Sequence, residues 1–160
     1  MNEISEYIIE FPNTTHMQEC RDMLVDLGGR LDRKAYEGAL LYYKMEDYLA
    51  SRVAFRNVLK DDAENVYRED ILYYIAMSSY KYALLSIPEK QKERYLVFID
   101  DYLNFVGEFP QSLYKKELDV VYRKAQKALG RYSVEVDDID MNERQFARER
   151  KKLEKVSTKK

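Results

Sequence analysis

The sequence has no tryptophan, one cysteine, three prolines and five glycines in 160 residues. Each scarcity removes a class of protein. A lone cysteine cannot close an internal disulfide framework, and it leaves the redox compartment open. So few glycines and prolines supply too little turn material for the hairpins of an all-β fold. No apolar run approaches the ~18 residues needed to cross a membrane. The opening MNEISEYIIEFP lacks a basic leader region and a small-residue cleavage motif, so it does not read as a signal peptide. A net charge of −2 argues against a chain that binds polyanions over its whole surface. There is no glycine-rich phosphate loop and no nucleophile motif. The acidic pairs Asp61-Asp62 and Asp100-Asp101 have no histidine, lysine or serine arranged with them for acid–base work. The expectation is a non-enzymatic protein with no catalytic residue and no cofactor.

What the chain has in quantity is tyrosine, 15 residues, within a sequence that is 46 % hydrophobic. That is enough for a core, and it implies one built of amphipathic rings whose hydroxyls reach the surface. The organising stretch is Ala35 to Ala63. Tyr36, Ala39, Tyr42 and Tyr43 recur at the spacing of one buried helical face. Met45-Glu46-Asp47 interrupts the pattern. Tyr48 then opens a second helix bearing Val53, Phe55, Val58 and Leu59. Gly38 and Ala39 on the first helix, and Ala50, Ser51 and Ala54 on the second, are small residues that suit close antiparallel approach. Together these positions have the pattern of a tetratricopeptide repeat: small Ala39, Tyr42, Tyr48 and aromatic Phe55, with Ala63 where the closing proline usually stands.

The endings of such hairpins recur. Tyr7-Ile8-Ile9-Glu10-Phe11-Pro12 is nearly repeated as Phe105-Val106-Gly107-Glu108-Phe109-Pro110, and Val58 to Ala63 is a more worn version. Each proline stops a helix. The first ending has almost no helix ahead of it, so the chain is expected to begin inside a repeat. The sequence then divides as follows. Residues 1–13 end a truncated repeat, and 14–63 hold a helix plus a hairpin. Residues 64–111 form a second, elongated hairpin, 112–130 a capping helix, and 131–160 a charged flexible tail. Thr15 and Gln18 fit a capping box, Gly28-Gly29 should weaken or kink the helix that follows, Asn65 suits a cap, and Pro88 suits a first helical turn. Gly130 is the expected stop of the last helix. The expected fold is all-α: tetratricopeptide-like antiparallel hairpins stacked into a short right-handed solenoid.

Aligning the two hairpins at a spacing of 37 pairs Tyr36 with Tyr73, Leu40 with Met77, Tyr43 with Tyr80 and Lys44 with Lys81. In a tetratricopeptide array these first-helix positions line the concave groove, where a ladder of tyrosine and lysine suits a peptide or a protein edge. The same residues could instead pack between neighbouring helices, and the sequence leaves both readings open. His16 and Cys20 have metal-ligand spacing, but two ligands do not close a tetrahedral site. Asp138 to Glu149 has the ligand spacing of a calcium loop, yet Glu143 occupies the position that needs glycine. The basic run from Arg144 to Lys160 suits phosphate contacts, although Glu143, Glu149 and Glu154 dilute it. No metal site is expected.

The string Arg30-Leu31-x-x-Lys34-x-Tyr36-Glu37-Gly38, then Tyr42-Tyr43, Asp47-Tyr48 and Asn57-Val58-Leu59-Lys60-Asp61, resembles one family. It is similar to the BamD lipoproteins of the outer-membrane β-barrel assembly machine, in a form like that of Bacteroidetes. Ser78-Ser79-Tyr80, Glu93-Arg94-Tyr95 and Tyr102 to Pro110 agree with it, so the resemblance covers about residues 3 to 130. The chain departs from the family in lacking its signal peptide, lipidated cysteine and first repeats, and in having Ala63 for proline. The resemblance implies a periplasmic, outer-membrane-associated scaffold whose C-terminal repeats dock the membrane-proximal POTRA domain of BamA. The membrane tie would be an N-terminal lipid outside this sequence. Two other functions fit the residues: a cytosolic tetratricopeptide adaptor for peptide segments, and a nucleic-acid-associated protein using the basic tail.

Overall fold

The computed structural model of the protein describes residues 2–131. The fold is all-α, with no strand among those residues. In chain order the helices are α1 (Asn2–Glu10), α2 (Met17–Lys44), α3 (Tyr48–Asp61), α4 (Arg68–Leu84) and α5 (Pro88–Glu108). A sixth, α6, runs over 115–131. Each of the first five packs on its neighbour in sequence, and α2 also reaches α4. Short connections make these neighbours helical hairpins.

α2 shows where local propensity yields. The expected helix after Pro12 and the first helix of the hairpin are one unbroken helix of 28 residues, with Gly28-Gly29 inside it. Two glycines weaken a helix by roughly 1 kcal/mol each. Pairs one turn apart offset part of that loss: Gln18 with Asp22, Arg30 with Asp26, and Arg33 with Glu37. The start also differs from the expected capping box. The Thr14 hydroxyl accepts from the His16 N–H, and the Gln18 amide is spent on Asp22. Gly38 faces solvent with nothing within 4 Å of the site of a Cβ, so it does not serve close approach; Ala39, 2 % exposed, does.

The turn to α3 follows its residues closely. Met45 and Asp47 donate N–H bonds to the carbonyls of Leu41 and Tyr42. Glu46 adopts a left-handed φ of 62°, the conformation that commonly ends a helix. The Asp47 carboxylate then accepts from the Ala50 N–H at 3.0 Å and caps α3. α3 ends at Asp61 without a proline, and the Ala63 carbonyl accepts from Arg68 instead. Asn65 does not cap α4 directly. Its side chain accepts from the Tyr67 N–H and shapes the turn before the helix. Pro88 does open α5. Gly130 is not a stop, since α6 continues through residue 131.

The core sits around α4, in which ten residues from Ile71 to Ala83 are buried. Phe55 from α3, Phe98 and Phe105 from α5 and Leu118 from α6 meet it with no exposed surface. Two serines of α4 enter this core, and both are answered. Ser78 shares a 3.0 Å hydrogen bond with Ser51 of α3. Ser79 donates to Asp101 of α5, a carboxylate only 6 % exposed, which also takes two bonds from Arg52 of α3. Asp101 thereby ties three helices. At the far end, Arg68 grips both oxygens of Glu108 at 2.8 and 2.9 Å and joins the start of α4 to the end of α5.

Two stability outcomes follow. Asp101→Ala strands Arg52 and Ser79 and should cost about 3–5 kcal/mol, read as a lower urea midpoint. Gly28→Ala or Gly29→Ala meets open space within a continuous helix and should stabilise by roughly 0.5–1 kcal/mol each. A loss of stability in the glycine variants would contradict an unbroken α2.

Candidate interaction face

Tyrosines of α2 and α4, with Tyr67 and Tyr114 from the turns before α4 and α6, form one continuous ring network. Tyr36 of α2 stacks on Tyr67 at 4.7 Å between centroids and tilts toward Tyr74 of α4. Tyr43 meets Tyr74 edge-on at 4.8 Å, and Tyr74 stacks on Phe55 at 5.5 Å. Tyr73 continues the series from Tyr74 to Tyr114, the latter stacked at 4.3 Å just before α6. Contacts of this kind contribute about 0.5–1.5 kcal/mol each beyond area burial. Tyr36, Tyr43, Tyr67, Tyr74 and Tyr114 are all partly exposed, so the network is both packing and surface.

Its polar atoms are organised by two carboxylates. The Tyr73 hydroxyl donates to Glu117 at 2.9 Å, and the Tyr114 hydroxyl donates to Asp70 at 2.5 Å. The hydrogen bond to Asp70, followed by burial, pushes the Tyr114 phenol up to about 12. Burial, then the neighbouring Tyr48, pushes Tyr43 up to about 12. Tyr36 and Tyr73 are also raised, chiefly by burial. All four remain neutral at physiological pH. The face offers flat aromatic area, phenolic donors and two acidic acceptors, with Lys44 and Lys81 toward one end. Such a surface is suited to a protein edge.

The eight residues of the sequence ladder separate here. Tyr36, Leu40, Tyr43 and Tyr73 lie in or against the ring network. Lys44 is exposed at the end of α2. Met77 and Tyr80 are buried at 5 % and 8 % exposure, and Tyr80 packs on Phe98 instead. Lys81 sits over the Tyr48 ring, 5.4 Å from its centre. Residues missing from the ladder are Tyr67, Tyr74, Tyr114, Asp70 and Glu117. A 37-residue register carried on from Tyr73 lands on Pro110, which hides Tyr114.

The other candidate sites do not assemble. His16 Nδ1 lies 2.9 Å from Glu19, while Cys20 is buried. Among the described residues no three histidine, cysteine or acidic side chains form a metal-binding group. The calcium-type loop at Asp138 to Glu149 and the basic run from Arg144 lie outside the described residues, as does the expected tail beyond Arg131.

The raised phenols have a measurable consequence. Tyr102 is pushed up to about 12 by burial and by its hydrogen bond to Asp119, matching Tyr114. A tyrosine titrates near 10 when unfolded. The stability tied to these groups is therefore intact below pH 10 and is lost as pH rises through about 12. Phenolate absorbance and loss of helical circular dichroism should rise together in that window. Ionisation of nearly all tyrosines near pH 10 with helicity intact would contradict the network.

The chain matches no protein-family model and no curated protein.

Proposed function

We propose that this protein is a non-catalytic scaffold of tetratricopeptide type, BamD-like, that serves outer-membrane β-barrel assembly. In this reading its hairpins stack as a short right-handed solenoid. The partner is the membrane-proximal POTRA domain of a BamA-type protein, and the location is periplasmic, at the outer membrane. The observation that carries the reading is the tyrosine face drawn from the alternate helices α2 and α4 and from the turns that lead into α4 and α6. In a stack of hairpins, the first helix of each unit lines one side, and that side is where an extended partner edge can lie. The contact of α2 with α4, across the intervening α3, supports such stacking. The linear order of residues shared with the BamD family supports the choice of partner.

The test is a titration of the full chain with a purified membrane-proximal POTRA domain of BamA from a Bacteroidetes species. Lys44→Glu, on an exposed side chain, and Tyr43→Ala should each weaken binding about tenfold, or about 1.4 kcal/mol. The thermal midpoint of Lys44→Glu should not move. Unchanged affinity in both variants would remove the face from the interface. Absence of POTRA binding, with acidic or apolar peptide tails bound instead, would favour the adaptor function.

A further inference from the structure

A second site lies about two turns along α4 from Tyr73. An open cleft of about 610 Å³ forms between the end of α4, the start of α5 and the second half of α6. Lys124, Lys127 and Arg131 border it, and among the described residues no carboxylate does. These cations stand at i, i+3 and i+7 on one face of α6 and span about 10 Å along its axis. Earlier on the same helix Lys115 is answered by Asp119 at 3.0 Å. The three cleft cations have no such acid among the described residues.

The floor of the cleft adds a donor. Tyr80 is 8 % exposed and packs on Tyr95 and Phe98. Its hydroxyl has no hydrogen-bond partner among the described residues, yet no fully buried polar side-chain atom there is left unsatisfied. The hydroxyl therefore keeps some accessible surface, and Tyr80 lines the cleft. Leu84 and Ala128 give the wall an apolar strip beside it. A nine-tenths buried phenol and three cations, with no acid paired to them among the described residues, make a built site for negative charge.

We propose that this cleft binds an acidic peptide segment in extended form. Same-face side chains of an extended peptide are about 6–7 Å apart, comparable to the steps between Lys124, Lys127 and Arg131. A single phosphate would have to draw three side chains spread over about 10 Å of helix to one point, whereas successive carboxylates of an extended chain meet each in turn. The Tyr80 hydroxyl donates to one carboxylate, and apolar side chains between the acids lie on Leu84 and Ala128. The proposal does not rest on the outer-membrane reading.

The probe is a labelled octapeptide alternating glutamate and valine, titrated by fluorescence anisotropy against the full chain. Residues 135–140 contain Glu135, Asp137, Asp138 and Asp140, a sequence of the same chemistry. The titration is therefore run also on a full-length form with those four changed to their amides. The expected result is binding in the micromolar range by at least one form. It should weaken at least tenfold in Lys124→Glu/Lys127→Glu, and severalfold in Tyr80→Phe at an unchanged thermal midpoint. Tighter binding after amidation would support the site and identify the chain's own acids as competitors for it. No binding by either form would overturn the proposal. So would equal binding by the lysine double variant, equal binding of a glutamine-valine peptide, or displacement by equimolar inorganic phosphate.

Discussion

α4 carries apolar or small side chains on nearly every side, and a helix of that kind cannot stay folded in water unless other helices enclose it. Ten of its 17 residues are buried, and α3, α5, α6 and part of α2 supply the enclosure. The surrounding helices are ordinary amphipathic ones, each presenting a single stripe. Their positions are consequences of the central helix: Phe55, Phe98, Phe105 and Leu118 all converge on it. Burying an all-round apolar helix also buries its serines, so Ser78 and Ser79 require partners. Ser51 and Asp101 provide them. The Asp101 cluster adds directional hydrogen bonds among α3, α4 and α5 to the non-directional burial of their apolar faces.

Tyrosine lets the same residues work on both sides of the boundary. A ring at the edge of the core packs like phenylalanine while its hydroxyl stays with water or a carboxylate. Tyr73 and Tyr114 do this through Glu117 and Asp70, and Tyr102 does it through Asp119. The Asp119 carboxyl is held below its usual range by its hydrogen bonds from Tyr102 and Lys115, so it stays an ionised acceptor at neutral pH. The result is a surface continuous with the core.

Much of the helical order is legible in the sequence, because it rests on local chemistry. Met45-Glu46-Asp47 breaks one helix and caps the next, and Pro88 opens α5 where its fixed φ is tolerated. The misreadings fall where tertiary or longer-range terms win. The helix after Pro12 and the first helix of the hairpin look separate, but a single helix braced by paired charges runs through Gly28-Gly29. Gly130 looks like a stop, but α6 passes it. For the candidate face, periodicity finds Tyr36, Tyr43 and Tyr73. It cannot assign Tyr80, because period alone does not say which side of an all-apolar helix a neighbour will cover. Tyr67 and Tyr114 sit in turns outside any helical register, and only the packed structure brings them to the face.

The most direct measurement is hydroxyl-radical footprinting of the full chain with and without a BamA-type POTRA domain, read residue by residue. Protection of Tyr43, Tyr74 and Tyr114, with Val53, Leu96 and Leu103 on the exposed sides of α3 and α5 unchanged, is the predicted result. Protection of those leucines and Val53, with the tyrosines unchanged, would place the partner on the other helices and contradict the interaction face.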